Sequence, residues 1–279
     1  MTIGDCQLGL YEKALSFSWD MEKKLKMVKE LGYDSMEFSV DADHKDRLDW
    51  PDEKIMKLRD LSLGLNVPLN TIALTANRFF PLGTKDDKKR EDGKTLVKKA
   101  VVFARKLGVR IVQIAAYDEY EGVSDEETDR LFLESMRECV RSAALGGVML
   151  ALETMDTAYA NGFGRCKRIV DIIGSPWLQI YGDTGNIAAS GLDFTDDIKA
   201  GAQHILAMHL KDATPGISRD IDFGTGIVDF ERDLKALKKA GFSGFLIAEM
   251  WWQDDPGYID KVRSACVFLR EKIRLADTD

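Results

Sequence analysis

An alternation of short apolar runs with longer amphipathic stretches, repeated eight times along 279 residues, is the feature that most constrains this chain. Most of the runs are uninterrupted, which is typical of parallel strands that are buried on both faces. The stretches between them carry apolar residues at helical spacing. The predicted strands are Gln7–Tyr11, Ser35–Val40, Leu69–Leu74, Arg110–Ala115, Val148–Glu153, Leu178–Gly182, Ile205–Leu210 and Phe245–Met250.

Residues that begin and end helices bound the amphipathic stretches. Pro51 and the two acids after it are typical of a first helical turn, and Ser124 opens a segment that resembles a capping box. Glycines follow three of the stretches directly, at Gly32, Gly108 and Gly241. The predicted helices are Asp20–Leu31, one that opens at Trp50–Glu53, Asp86–Leu107, Ser124–Leu145, Asp229–Ala240 and Pro256–Leu275.

Eight strand–helix units without a low-complexity linker favour a single (β/α)8 barrel domain over residues 1–279. An open, doubly wound sheet is the main alternative. That fold usually has a glycine-rich phosphate loop after its first strand, whereas Gly9 is followed here by Leu10, Tyr11 and Glu12. The sequence therefore predicts the barrel.

Charge and composition exclude several classes of partner. The chain has 39 basic and 47 acidic residues, a net charge of −8, so nucleic acid is a poor partner. No apolar run approaches the roughly 18 residues that span a bilayer, and the first residues lack the features of a signal peptide. The four cysteines form no C-x-x-C pair. We therefore expect a soluble, cytoplasmic protein with reduced thiols and no membrane partner.

Polar residues end four consecutive predicted strands. They are Glu153, Asp183, His209 and Glu249, on strands five to eight. The carboxyl ends of barrel strands meet at one mouth, where three converging carboxylates would repel one another unless a cation lay between them. Three oxygen ligands and one imidazole suit Mn²⁺, Mg²⁺, Co²⁺ or Zn²⁺. The alternative is that each residue merely begins a solvent-facing loop.

Motifs along nearly the whole chain resemble one family. The segments are Leu10–Leu15, Glu37–Asp41, Arg47–Trp50, Arg78 with Phe80–Gly83, Tyr181–Asn186, His209–Asp212, Phe223–Phe230 and Glu249–Trp251. Together they resemble the L-ribulose-5-phosphate 3-epimerases of L-ascorbate degradation, also called L-xylulose-5-phosphate 3-epimerases. That family belongs to the xylose-isomerase-like TIM barrels. The first and third segments are the more particular ones, whereas His-x-Lys-Asp recurs widely among such barrels.

The resemblance implies a site and a reaction. Glu153, Asp183, His209 and Glu249 would hold one divalent metal ion, with Mn²⁺ or Zn²⁺ expected before Mg²⁺ or Co²⁺. Glu153 and Glu249 would be the catalytic acid/base pair, and the partner would be a small ketose phosphate. Predicted substrate-binding residues are Tyr11, Glu12, Arg78, Asn186, Lys211 and Trp251. Barrels of this kind often form dimers, so a homodimer is expected.

Two positions bear on substrate preference. Asn77 stands where a histidine is expected in this family, and we predict that it ends strand three and faces the sugar. Phe223–Gly226 is a candidate phosphate site, because backbone N–H groups before a helix bind anions. A tight turn that needs two glycines is the alternative there.

The predicted reaction is epimerisation at C3 of a ketose phosphate. The C2 carbonyl makes the C3 proton weakly acidic, a metal would stabilise the enediolate, and two bases on different sides would invert the centre. The alternatives on the same barrel are an aldose–ketose isomerase of the hexulose-6-phosphate or hydroxypyruvate type and an inosose dehydratase. An abasic-site endonuclease needs a histidine-rich metal cluster, and the chain has three histidines. A noncatalytic sugar-binding protein would not need the glutamate pair.

Overall fold

Eight short strands pair in chain order, each parallel to its neighbours, and the last strand pairs with the first. The strands are β1 (Leu8–Tyr11), β2 (Ser35–Ser39), β3 (Leu69–Leu74), β4 (Ile111–Ala115), β5 (Met149–Glu153), β6 (Leu178–Asp183), β7 (Ile205–Leu210) and β8 (Phe245–Ala248). The computed structural model describes residues 3–278 of the chain. The closed barrel confirms the predicted (β/α)8 fold, and residues 1, 2 and 279 of the predicted domain lie outside the described part.

Helices surround the strands. They are α1 (Met21–Glu30), α2 (Asp52–Gly64), α3 (Asp87–Leu107), α4 (Glu126–Gly146), α5 (Phe163–Ile173), α6 (Thr184–Ala189), α7 (Phe194–Gly201), α8 (Phe230–Lys239) and α9 (Tyr258–Asp277). Short 3₁₀ segments lie at Ile3–Asp5, Glu12–Ala14, Ala42–Asp49, Thr75–Phe79 and Ala202–His204. None of the described helices is long and apolar enough to cross a bilayer.

The helix ends follow the local chemistry of the sequence. Asp125 caps α4 and forms a reciprocal capping box with Thr128, one position later than the serine that opens the predicted segment. Gly32, Gly108 and Gly241 have φ angles of +89°, +86° and +78°. Side chains rarely adopt this left-handed backbone, so glycine ends these helices at low cost and turns the chain toward the next strand.

The two faces of the strands differ in composition. Even-numbered strand residues such as Phe38, Ile114 and Met208 point outward and pack against the helices in the main core. The apolar residues of the inward face are three alanines, two isoleucines and two tyrosines. They are Tyr11, Ala73, Ile111, Ala151, Tyr181, Ala207 and Ile247. Strand residues alternate between faces, so polar residues of the same parity also point into the barrel. This inward layer positions the site described next.

All four cysteines are buried and free, as expected. Burial raises the pKa of Cys6 to about 11 and that of Cys139 to about 12. Neutral thiols of this kind behave as small apolar side chains. They take part in packing, and Cys166 Sγ also lies 4.0 Å from the Glu153 carbonyl oxygen, to which it donates.

Candidate metal centre

The four polar residues at the ends of strands five to eight converge at one end of the barrel. Glu153 ends β5, Asp183 ends β6, His209 lies in β7 directly opposite Asp183, and Glu249 follows β8. One ligand atom from each lies within 4.8 Å of the others. All four side chains are buried, Glu249 being the most exposed at 7%. Barrel closure therefore brings together the predicted metal-binding set.

Distances within this set suit a single small cation. His209 Nδ1 lies 2.8 Å from Glu153 Oε1, 3.7 Å from Glu249 Oε2 and 3.8 Å from Asp183 Oδ2. Ligands at about 2.0–2.2 Å from a metal ion are separated by roughly 3–4 Å from one another. Asp183 Oδ2 and Glu249 Oε2 are also buried, and within residues 3–278 neither oxygen accepts a well-aligned hydrogen bond. The residues present thus fit one divalent ion.

Lys211 adds a positive charge to the same oxygens. Its Nζ lies 2.8 Å from Asp183 Oδ2 and 2.8 Å from Glu249 Oε2. Burial opposes its charge, but the two carboxylates raise the pKa of Lys211 above its ordinary value. A Cβ added at Gly185 would lie 3.0 Å from the Lys211 stem, so glycine gives this side chain room. Lys211, predicted to bind substrate, thus also neutralises part of the ligand set.

The carboxyl groups beside Lys211 have opposite pKa shifts. Burial raises the pKa of Asp183 to about 7 against the opposing charge of Lys211. Burial also opposes ionisation of Glu249, but the positive charges of Lys211 and His209 lower the pKa of that carboxyl to about 2. Both carboxyl groups contact the same ammonium group, that of Lys211. A divalent cation among these oxygens would favour the charged form of both.

Two polar residues of the inward layer support the ligands and were not singled out as site residues by sequence reasoning. Gln113 Nε2 donates to Glu153 Oε2, and Glu37 Oε2 lies 2.6 Å from His209 Nε2. Strand β2 alternates polar and apolar residues, and this period of two is the sequence signal that points Glu37 into the barrel. The prediction of uninterrupted apolar runs overlooked this alternation.

Besides Lys211, three of the predicted substrate-binding residues lie near the ligands. Tyr11 ends β1, with its ring 5.8 Å from the His209 ring. Trp251 follows Glu249, and its ring lies 5.3 Å from Lys211 Nζ and 4.6 Å from the Arg219 guanidinium. Arg78 follows β3, and its guanidinium lies beside the Tyr117 ring. Burial opposes the charge of Arg78, but Tyr117 and the Glu153 carboxylate raise its pKa. These side chains form part of the wall of the mouth.

Glu12 and Asn186 are held by protein partners instead. Glu12 accepts hydrogen bonds from Lys24 Nζ at 2.7 Å and from both terminal nitrogens of Arg47 at 2.7 and 2.9 Å. Asn186 donates to the Thr154 carbonyl at 2.8 Å and accepts from Ser218 Oγ at 2.7 Å. Both side chains thus have protein hydrogen-bond partners, and their contact with substrate stays a prediction.

Asn77 does not end strand three, contrary to the prediction, and that it faces the sugar stays a prediction. Strand β3 ends at Leu74, and Asn77 lies in the following 3₁₀ segment. Its side chain is buried, donates to the Ala115 carbonyl at 2.8 Å and accepts from the Ala115 N–H at 3.0 Å. The amide therefore completes the backbone hydrogen bonding at the end of β4.

The glycine-rich segment at Phe223–Gly226 has its donors occupied, so the predicted phosphate site there is wrong. Gly224 and Gly226 donate their N–H groups to Asp212 Oδ2 at 2.8 and 2.9 Å. Val228 N–H donates to the other oxygen of Asp212 at 3.2 Å. A Cβ at Gly226 would lie 2.3 Å from that oxygen, which explains the glycine. The segment is a turn wrapped around a carboxylate.

The chemical character of the lining residues, rather than the size of a cavity, identifies the candidate site. A groove of about 590 Å³ lies outside the barrel between α7 and α8, lined by Ile198, Lys199, Arg232 and Lys235 among others. Its lining includes none of the four converging ligands. A narrower cleft beside the ligands is lined by Lys211, Glu249 and Trp251. Small polar substrates are bound by a few convergent polar groups, which this second cleft has.

Comparison with known proteins gives the same fold and a family. The sequence profile described as xylose isomerase-like TIM barrel matches residues 25–272. In solved structures, an L-ribulose 3-epimerase superposes with a TM-score of 0.83 at 17% identity, covering 97% of this chain and 95% of that one. The IolI protein with a binding zinc atom superposes with a TM-score of 0.78 at 20% identity, covering 97% and 98%. These distant likenesses concern the fold.

Closer relatives match almost end to end. The L-ribulose-5-phosphate 3-epimerase UlaE of Shigella flexneri is 36% identical over 271 residues, which covers 96% of this chain and 95% of the relative. The protein of that name from Escherichia coli is 38% identical over 253 residues, covering 89% of each. The chain therefore belongs to the L-ribulose-5-phosphate 3-epimerase family of sugar epimerases, within the xylose isomerase-like TIM barrels.

Proposed function

We propose that this protein is a metal-dependent 3-epimerase that interconverts L-ribulose 5-phosphate and L-xylulose 5-phosphate. The observation that carries the proposal is the buried set of Glu153, Asp183, His209 and Glu249, with two glutamates on different strands of one mouth. The names of the close relatives support the substrate. Mn²⁺ or Zn²⁺ is the proposed ion, and carboxylate oxygens with one imidazole nitrogen suit either.

The glutamate pair accounts for inversion. Glu153 on β5 and Glu249 after β8 approach the mouth from different sides, so one takes the C3 proton and the other delivers a proton to the opposite face. When bound, the divalent ion supplies Lewis acidity that stabilises negative charge developing on the substrate. Lys211, buried beside Glu249, lowers the cost of negative charge in the same place.

Arg78 is the proposed partner of the substrate phosphate. Its guanidinium lies 6.0 Å from the Tyr117 ring and 5.8 Å from the Tyr120 ring, and its buried Nε has no hydrogen-bond partner within residues 3–278. The glycine turn at Gly224 is excluded from this role because Asp212 takes its donors. A guanidinium binds phosphate through two parallel hydrogen bonds, which suits an otherwise unpaired arginine at the mouth.

Proton NMR of L-ribulose 5-phosphate in D₂O tests the reaction. With protein loaded with Zn²⁺, the diamagnetic one of the two proposed ions, we expect loss of the H3 signal together with the appearance of L-xylulose 5-phosphate. Glu153→Gln and Glu249→Gln should each lower the rate of epimerisation about 10²–10⁴-fold, since each removes one proton-transfer group. Glu121→Gln, an exposed glutamate of the loop after β4, is the matched control.

The possible outcomes test the mechanism, the type of reaction and the substrate separately. Because both glutamates are also proposed ligands, the bound metal of each variant is measured alongside its rate. Inversion at C3 that survives either change in a metal-loaded variant would rule out the two-base mechanism. Exchange at C1 with an aldose product would favour the isomerase alternative. No exchange on any pentulose phosphate would exclude the proposed substrate.

A further inference from the structure

Glu37 is a fully buried carboxylate in the middle of β2, in a motif that the proposed reaction does not use. A buried carboxylate is costly unless it is well bonded. In this case both oxygens are occupied. Thr71 Oγ1 and the Tyr181 hydroxyl each lie 2.8 Å from Glu37 Oε1, and His209 Nε2 lies 2.6 Å from Glu37 Oε2. Through its contact with His209, this carboxylate is linked to the proposed metal ligands.

The two nitrogens of His209 face different partners. Nε2 points to Glu37, whereas Nδ1 points to Glu153, Asp183 and Glu249. Carboxylates accept hydrogen bonds on both sides of the ring, since Glu153 Oε1 also lies 2.8 Å from Nδ1. The proposed ligand set faces Nδ1, so a cation bound there would leave the one proton of a neutral ring on Nε2, toward Glu37. A neutral imidazole that carries its proton on Nε2 has its lone pair on Nδ1. That lone pair is then directed at the ligand set.

We propose that Glu37 is the positioning residue of the metal centre, which holds His209 as the Nε2–H tautomer so that Nδ1 is the metal ligand. The proposal rests on the proposed metal centre and is independent of the sugar. Residues of this kind orient a histidine ligand and increase its basicity, and their loss weakens metal binding about 10–100-fold. Thr71 also donates to the other oxygen of this carboxylate, so Glu37 keeps a second anchor when the Tyr181 hydroxyl is removed.

Metal titration of variants tests the role. Co²⁺ binding, followed by its visible absorption, should weaken about 10–100-fold in Glu37→Gln, with a changed ligand-field spectrum. Tyr181→Phe is the matched control, because it removes one hydrogen bond to Glu37 and keeps the Glu37–His209 pair. We expect Tyr181→Phe to change the affinity less than about threefold. An unchanged affinity and spectrum in Glu37→Gln, or an equal loss in both variants, would overturn the proposal.

A second measurement needs no variant at the buried carboxylate. Long-range ¹H–¹⁵N NMR of the histidine rings in the Zn²⁺-loaded protein reports which nitrogen carries the proton. His209 is identified by comparison with His44→Gln and His204→Gln, the other two histidines of the chain. A protonated Nε2 is expected, and a proton on Nδ1 would contradict the proposal. Neither readout needs substrate, so a protein that binds metal in this way and fails to epimerise would refute only the proposed reaction.

Discussion

Arg78 differs from the other cations near the mouth in having no carboxylate partner among the described residues. Lys13 pairs with Asp41 at 3.0 Å, and Lys211 pairs with two of the proposed ligands. Arg78 instead lies near two tyrosine rings, half-buried, with Nε unsatisfied. An unpaired, partly desolvated guanidinium binds an arriving dianion more strongly than a neutralised one does.

Replacing Arg78 with methionine should therefore affect phosphorylated substrate selectively. We expect KM for L-ribulose 5-phosphate to rise about 10–100-fold, because a charged hydrogen-bond pair contributes roughly 1.5–3 kcal/mol. The turnover of unphosphorylated L-ribulose should change little. Steady-state kinetics with both sugars checks this, with Arg141→Met on the exposed face of α4 as control. Equal losses with both sugars would mean that Arg78 supports the loops rather than the phosphate.

At the scale of elements, a buried ion triad joins three segments around β1. Glu12 follows β1, Lys24 lies in α1, and Arg47 lies in the 3₁₀ segment after β2. Lys24 and Glu12 are completely buried, and Glu12 also accepts a hydrogen bond from the Ser39 N–H at 2.9 Å. Burial opposes the charge of Glu12, but Arg47 and Lys24 lower its pKa below the ordinary value of 4.5.

Breaking this triad should destabilise the protein in a pH-dependent way. Glu12→Gln leaves Lys24 buried without a counter-charge, which costs about 3–5 kcal/mol at neutral pH. The folded state lowers the Glu12 pKa, so its contribution is complete above about pH 4.5 and is lost as the pH falls through the folded-state pKa. The difference in unfolding free energy between wild type and variant should therefore be constant from about pH 6 to 8 and shrink below 4.5.

Urea unfolding across this pH range measures that difference. Glu22→Gln is the control, because its pair with Lys26 is exposed and i,i+4 pairs of this kind contribute about 0.3–0.5 kcal/mol. A loss for Glu12→Gln no larger than for Glu22→Gln would show that the triad is dispensable. A difference that grows toward acidic pH would contradict the lowered pKa.

At the scale of the whole molecule, the proposed ligands come from four strands that are distant in the chain and adjacent in the barrel. An ion that binds them binds only the folded chain, and ligands of that kind stabilise the native state. The proposed metal binding and catalysis therefore both depend on closure of the barrel.

The homodimer that the family resemblance predicts stays a prediction.

Adding metal should raise the melting temperature. At a free Mn²⁺ concentration about 100 times Kd, the gain is about 2.7 kcal/mol, or roughly 5–10 °C for a chain of this length. Calorimetry with Mn²⁺ or with a chelator checks this. Asp183→Asn should abolish the shift, because it removes one charged ligand. The same Tm with metal and with chelator would exclude a metal site in the barrel.

Local pattern predicted much of this molecule. The eight apolar runs overlap the eight strands, three glycines end helices as expected, and polar residues at the strand ends mark the proposed ligands. These features depend on neighbours in the chain, namely strand periodicity, helix caps and the common direction of parallel strands. Sequence reasoning is sufficient for such features because the physics that decides them is local.

The pairing of polar groups was decided only by the tertiary structure. Asp212 occupies the glycine turn, Asn77 binds Ala115, and Glu37 reaches His209 from the far side of the barrel. Each is a buried group that must find a hydrogen-bond partner, and the partner comes from another strand–helix unit once the barrel closes. The sequence determined which side chains point toward the mouth, whereas closure determined which of them are free to meet a substrate.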